Sequence, residues 1–473
     1  MVFMKKIALI PIDNRPICYT LIEQISAVNE DIKLYLPERK FLGGLYDMAN
    51  VSAILDWLKS LPKVDYIIMS LDTVAYGGLV ASRRIPDSYD TIKSRLEAFK
   101  EAIKPLGAKV FAFSSIMRIS NNNINEEEKE YWNPWGKRIF EYSYHQHKSR
   151  ALRQMNCVIN TVPADILEDY INTRKRNFEI NRLYLDWLSE GVLDTLVYSK
   201  DDTGEYGLNV EEAQKLEAEA SSKKLNAIIK TGADEIPLTL LARAIAENET
   251  VAIKPYFVFE NSKGLISKYE DISAENCVTS QLSLAGVRID ASQNPEITMV
   301  VNNFASEQGD LVLGDVINSL SRDFEFPKTP YFIADINNAN GSDSELVRKF
   351  TDKKFKKGTV LGYSAYNTSA NTIGSSLCIA LNAALALKHG TFNETAFKKL
   401  LAIRLLDDWA YQANIRKAVR AGAPNFKEAL DEHIVDFDGY EKKISEFLDF
   451  KFECKYSLPW NRSFEIEIDL FPY

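Results

Sequence analysis

Short apolar runs that end in polar or glycine-bearing loops, each followed by a stretch with helical spacing, recur along the chain. That alternation predicts βα units with parallel strands. The runs fall at 7–12, 32–36, 66–71, 110–113, 195–198, 227–229, 251–259, 297–301, 331–336 and 359–363. Between them lie amphipathic stretches such as VSAILDWLKSL from Val51 and TIKSRLEAFKEAI from Thr91, whose apolar residues recur every three or four positions and so can cover a sheet. The connection 119–191 breaks the rhythm. It opens with the polar segment NNNINEEEKEYWNPWGKR and continues as two charged, aromatic-bearing helical patterns, which predicts a lid or a helical subdomain. After Thr368 the pattern is mostly helical, through TIGSSLCIALNAALALKHG and 394–422, and it closes on a strand-like tail, FEIEIDL.

These elements predict an α/β fold of repeated βα units with a helical C-terminal part. A barrel-like arrangement is placed ahead of two doubly wound domains. The expected organisation is a main βα-repeat domain over 1–290, with a helical insertion at about 119–191, and a second α/β part over 291–473 that holds the helical region and the tail. At roughly 150 residues per domain, 473 residues allow two or three such units. No internal repeat and no linker rich in Pro, Gly or Ser separates them.

Composition narrows the partners. Lys plus Arg number 57 against 66 for Asp plus Glu, a net charge of -9 without a basic cluster, which argues against binding to nucleic-acid phosphates. The first apolar run ends at Asp13 and is too short for a signal peptide or a membrane span, so it reads as a strand and no membrane association is expected. Five scattered cysteines with no CxxC pair fit a reducing cytoplasm. With four histidines, His145, His147, His389 and His433, a His-rich zinc site or a Ser-His-Asp triad has little to draw on.

Ligands in parallel α/β folds bind beyond the carboxyl ends of the strands, and the unusual polar residues gather there. The first strand ends in Asp13, Asn14 and Arg15; the third in Asp72, Tyr76, Gly77, Gly78, Ser82 and Arg83; the fourth in Ser114, Ser115 and Arg118. The fifth leads into Asp201, Asp202 and Tyr206, and the sixth into Asp234 and Glu235. The ninth is followed by Asp335, Asn337, Asn340 and Asp343, and the tenth by Tyr366, Asn367 and Asn371. Any one cluster can be a turn with a helix cap. At least five acids and three arginines on one rim exceed what capping needs and point to a shared ligand site.

The segments PIDNRP, SLDTVAYGGLVASR, YSKDDTGEYG, TGADE followed by LLAR, DINNANGSD, YNTSANTIG and LPWNRSFEIEIDL occur in that order along essentially the whole chain. In this series the chain resembles the bacterial family known as domain of unknown function 4127 (DUF4127). It departs mildly, with Tyr366 where the family pattern has tryptophan before Asn-Thr, a difference that bears on ring stacking. The resemblance implies no established activity.

Three chemistries suit the rim. In the leading reading, Asp202 and Glu235, with Asp201 and Asp234 beside them, are the catalytic carboxylates of a cytoplasmic, glycosidase-like hydrolase, one protonated and one ionised. Adjacent strand residues point to opposite faces, so one of Asp201 and Asp202 works and the other orients. Arg15, Arg83 and Arg118 would grip a carbohydrate-like substrate that can carry negative charge, Tyr76, Tyr206 and Tyr366 would stack on it, and Asp13, Asn14, Asp72, Asp335, Asn340, Asp343, Asn367 and Asn371 would bind it through its hydroxyls. In the second, no cofactor being required by the first, Asp13, Asp72, Asp202, Asp335 and Asp343 hold Mg²⁺ or Ca²⁺, with Asp72 and Asp335 foremost, for a phosphate ester. The segment YGGLVASRR lacks a Walker or GxGxxG pattern and is a weak anion nest. In the third, the rim belongs to a non-catalytic small-ligand-binding protein.

Other motifs carry bland readings. His145 and His147, two apart, cannot share a helix face and read as surface or packing residues. Cys18 reads as a buried structural thiol, NEEEKE from Asn125 as a solvated helix start, and the Asn393-Glu-Thr sequon as unused.

Overall fold

The parallel strands expected from the apolar runs build two open sheets in the computed structural model, which describes residues 4–152, 161–201, 203–317 and 324–473. The first sheet contains β1 (Lys5–Ile10), β2 (Ile32–Tyr35), β3 (Tyr66–Ser70), β4 (Lys109–Ile116), β5 (Thr195–Lys200) and β6 (Ala227–Thr231), in the order β2-β1-β3-β4-β5-β6. The later strands are β7 (Ala252–Phe257), β8 (Arg288–Ile289), β9 (Ile297–Asn302), β10 (Gly309–Asp310), β11 (Tyr331–Asp335), β12 (Asn338–Ala339) and β13 (Val360–Ser364). Five of them form the second sheet, in the order β13-β11-β9-β7-β8, while β10 and β12 pair separately. Central strands such as β3, YIIMS, are buried along their whole length, which is why they read as continuous apolar runs rather than alternating ones.

Of the two arrangements the sequence allows, the chain adopts the pair of open sheets, and no closed barrel forms among the described residues. The passage from one sheet to the other falls between residues 231 and 252. The strands β7 and β8 precede residue 290 yet pair within the second sheet, so the boundary drawn there from the sequence cuts through a sheet. The insertion is helical, with Trp132–Ala151 and Ala164–Ser189. Its helices enclose a small core of their own around Met117, Trp132, Ile139 and Tyr170.

Two apolar helices lie between the sheets. Ile236–Ala246 follows β6 and packs back against β3 and β4, while Ser369–His389 follows β13 and packs on β11, β13 and the first helix. Their side chains merge both sheets into one hydrophobic core, with Ile7, Leu241, Leu377 and Ile333 all inside it. Lys5, at the start of β1, donates to the carbonyls of Ala244, Ile245 and Glu247 and so holds the C-terminal end of the first helix. The N-terminal end of that helix is thereby directed to where β1 ends. Ser369–His389 is long and apolar enough to cross a membrane by length and composition, yet 89% of its apolar window is buried inside the protein.

C-terminal to these layers, Glu394–Leu405 continues into a π-helical stretch, Leu406–Ile415, and then into Arg416–Ala421. The tail is an antiparallel pair, β14 (Phe452–Ser457) and β15 (Glu467–Pro472). The segment joining the two strands carries Trp460, Arg462 and Phe464.

Close approach of the two central helices depends on Gly374. A Cβ there would stand 2.4 Å from Glu235 Cγ and 2.8 Å from Thr239 Oγ1. Gly374→Ala should therefore lower stability by about 1–3 kcal/mol, the usual cost of overpacking a core, measured by urea unfolding. A change within about 0.3 kcal/mol would show that the helices are not in close contact.

Candidate functional site

Loops at the carboxyl ends of both sheets enclose one cavity of about 560 Å³. The first sheet supplies Asp13 and Arg15 after β1, Arg118 after β4, Asp201 after β5 and Asp234 after β6. On the side of the second sheet, the connection after β11 supplies Asn340, just past β12, and the loop after β13 supplies Asn367 and Asn371. These eight rim residues of the sequence reading are brought together.

The cavity floor is an ion cluster. Arg15 Nη1 and Nη2 donate to the two carboxylate oxygens of Asp234 at 3.0 and 2.6 Å, and Arg15 Nε donates to Asp13 Oδ2 at 2.9 Å. The backbone N–H of Arg15 donates to the other Asp13 oxygen at 3.0 Å, which closes the PIDNRP turn on itself. From the second sheet, the Tyr366 hydroxyl donates to Asp234 Oδ2 at 3.1 Å. The Cys18 thiol, 3.9 Å from Asp234 Oδ1, is pushed well above its ordinary range by burial and by the nearby Asp13, so it is no ready nucleophile.

A second cluster forms the wall. Glu127 receives Arg118 at 2.9 Å and Arg462 at 3.0 Å, with Arg83 at 3.6 Å behind them. Burial alone would raise the Glu127 carboxyl, but Arg118, Arg462, Arg83 and Arg15 together hold it well below the usual carboxylate range. Arg118 also reaches Glu128 at 3.3 Å and Asp201 at 3.4 Å. The Arg462 guanidinium lies 4.7 Å from the Trp460 ring, and that of Arg15 lies 5.2 Å from the same ring. Asn14 accepts a hydrogen bond from Trp460 Nε1 at 2.7 Å and so positions the ring from outside the cavity lining.

The structure moves other expected site residues elsewhere. Glu235 is 1% exposed, accepts from the Ala233 N–H and from Gln281 Nε2, and does not line the cavity. Gly232, at φ +114°, lets the loop fold over that carboxyl, since a Cβ would sit 1.9 Å from Glu235 Oε1. Asp72 is buried beneath the loops and accepts from the Ser115 N–H at 2.8 Å. Tyr76 is enclosed under Arg176 with its hydroxyl unpartnered, and Arg83 sits behind the wall on Glu128. Tyr206 packs on Tyr144 and His147, outside the cavity, and Tyr366 uses its hydroxyl rather than its ring. Asp335 and Asp343 belong to a buried network with Asn302 and Asn337, and Asp343 caps the helix Ser344–Thr351. Asp202 lies outside the described residues.

Asp72 and Asp335 are therefore committed to separate internal networks, and no group of three His, Cys, Asp or Glu side chains is placed to hold a metal ion among the described residues. The glycine pair of YGGLVASRR is no anion nest. Both N–H groups, from Gly77 and Gly78, are spent on the carbonyls of Thr73 and Asp72 in closing the helix Leu71–Tyr76.

Several cavity residues escaped the sequence reading. Glu126 and Glu127 come from NEEEKE, which looked like a solvated helix start but supplies wall carboxylates. Trp460 and Arg462 come from the β14–β15 connection, and Arg416 and Arg420 from the C-terminal helices. Glu126 and Glu127 lie well beyond the end of β4 and the others follow no parallel strand, so the strand-end rule could not find them. The only available signal was the Trp-Asn-Arg segment within LPWNRSFEIEIDL.

The family model described as a protein of unknown function (DUF4127) matches residues 7–469, which includes all of the cavity residues. No curated protein matches the chain.

The buried carboxyls around the site give the fold a pH dependence. Burial pushes Asp72, Glu235, Glu270 and Asp408 up to about 7, and burial together with the neighbouring Asp343 pushes Asp335 up to about 8. Unfolded, such groups ionise near ~4. Between those values the native state binds more protons than the unfolded chain, so the stability these groups contribute at low pH is lost as pH rises through about 7 to 8. Unfolding free energy should fall by about 2 kcal/mol or more from about pH 5.5 to about pH 8, measured by urea titration at constant ionic strength. A flat or rising profile would mean that these carboxyls are ionised in the folded state.

Proposed function

We propose, for a chain that belongs to the DUF4127 family and whose family description states no activity, that the cavity is the active site of a hydrolase acting on a small carbohydrate-like substrate. The observation that carries this reading is the composition of one shared wall. Carboxylates from the first sheet and its insertion, namely Asp201, Glu126 and Glu127, line the same cavity as the amides of Asn340, Asn367 and Asn371 and the ring of Trp460. Amides can donate to and accept from sugar hydroxyls, an indole face can cover the apolar side of a pyranose, and carboxylates can move protons.

Within that wall the roles divide by what each carboxylate already does. Asp13 and Asp234 give their oxygens to Arg15, and Glu127 to two arginines, so these three build the site. Asp201, 3.4 Å from Arg118, is the acid/base group of this proposal, and Glu126, 3.2 Å from Arg462, supplies the second carboxylate. The pair thus replaces the Asp202 and Glu235 pair suggested by sequence, because Glu235 is walled off. A cytoplasmic setting is part of the same proposal, supported by the free thiols of Cys18, Cys277, Cys378 and Cys454. The extent to which the carboxylates are already ion-paired favours, as a second reading, a protein that binds the same ligands without turning them over.

Turnover separates the two. A panel of chromogenic glycosides and oligosaccharides should contain a hydrolysed compound whose binding changes Trp460 fluorescence. Asp201→Asn should lower its kcat by at least about 10²-fold while the fluorescence titration persists. Turnover within about threefold of wild type would overturn the role of Asp201, and binding without turnover by the wild type would establish the second reading.

A further inference from the structure

We infer that the cavity contains a subsite for a phosphate ester, formed by Arg416 and Arg420; this rests on the reading of the cavity as a site for small hydroxylated substrates. Five guanidinium groups line the cavity. Arg15 is neutralised by Asp13 and Asp234, Arg118 by Glu127 and Asp201, and Arg462 by Glu465 with Glu126 and Glu127. Arg416 and Arg420 form no ion pair with a carboxylate among the described residues.

Their remaining contacts are neutral. Arg416 Nη1 donates to Gln412 Oε1 at 2.9 Å, its Nε has no partner, and its guanidinium lies 4.8 Å from the Phe464 ring. Arg420 Nη1 donates to the Val312 carbonyl at 3.1 Å. Arg416 is only 7% exposed, and an arginine that deep is ordinarily paired, so an unneutralised one facing a cavity calls for an anion. Glu465, whose charge acts on Arg416, is bound at both oxygens by Arg462.

The two arginines are four residues apart in Arg416–Ala421, on one helix face, and so present two adjacent positive charges. A phosphate monoester carries about −1.5 to −2 at neutral pH and offers three acceptor oxygens, which matches a pair of guanidinium forks in charge and geometry. A uronate carries one negative charge and would leave one arginine uncompensated. Asn367 and Asn371, after β13, face the hydroxyls of the rest of the molecule, Asn371 with its amide oxygen unpartnered. A phosphorylated sugar is therefore the substrate class, and free phosphate is its simplest mimic.

Calorimetric titration of the full chain with glucose 6-phosphate, inorganic phosphate, glucuronate and glucose tests this assignment. Glucose 6-phosphate should bind most tightly, and inorganic phosphate should compete with it. Arg420→Gln, at an exposed position, should weaken both by at least tenfold, and Arg416→Lys should weaken them while keeping the charge. Equal affinity in wild type and Arg420→Gln, or no binding of either phosphate, would overturn the subsite. Preference for glucuronate, or glucose bound as tightly as glucose 6-phosphate, would overturn the phosphate assignment yet leave the cavity as a carbohydrate site. Failure of that broader reading would show itself separately, as absence of any glycoside response and indifference of the protein to Asp201→Asn.

Discussion

The geometry of the site depends on Arg15. Its guanidinium ties the loop after the first strand to the loop after the sixth, and Asp234 carries the connection on to Tyr366 of the second sheet. Two carboxylates on one buried guanidinium would repel each other without it, and loss of one partner from such a cluster leaves an uncompensated buried charge that costs about 3–5 kcal/mol. The cluster therefore fixes three loops from two sheets in one arrangement. Everything that lines the cavity is placed relative to it.

The helix Ile236–Ala246 makes that junction sterically possible. In strand order β6 is at the far edge of its sheet from β1, yet the helix that follows it returns across the sheet, with its far end held by Lys5. Asp234, just before the helix, is thus delivered to the end of β1. On the other side, Ser369–His389 packs on this helix, and the loop before it delivers Tyr366, Asn367 and Asn371. The shared core of the two sheets and the shared cavity have one cause, the pairing of these two helices, so packing and site geometry are not separable in this protein.

The repeated βα units and the rim were legible because buried parallel strands write themselves as apolar runs and their carboxyl ends as polar loops. Asp13, Arg15, Asp201 and Asp234 were found in that way. Periodicity cannot tell a closed barrel from two open sheets, because strand order is set by the long-range pairing of loops and helices that no local pattern encodes. Nor can it tell a polar side chain that faces a ligand from one that satisfies a buried neighbour. Asp72, Glu235, Asp335 and Asp343 sit at strand ends like the cavity residues, but their partners are the Ser115 N–H, Gln281, Asn302 and Asn337. Glu127 was hidden for the opposite reason: a glutamate run looks solvated until Arg118 and Arg462, more than three hundred residues apart, close around it. Arg416 and Arg420 entered from a helical region with no strand to mark them.

The central claim, that one buried ion cluster holds the loops of both sheets around the cavity, is most directly tested by a double-mutant cycle between Arg15→Gln and Asp234→Asn, read by urea unfolding. The coupling should exceed about 1 kcal/mol, with the double mutant less destabilised than the sum of the single mutants, because each single change strands the other's charge. Additivity within about 0.5 kcal/mol would contradict it, since the two residues would then contribute independently and the junction would not be what positions the site.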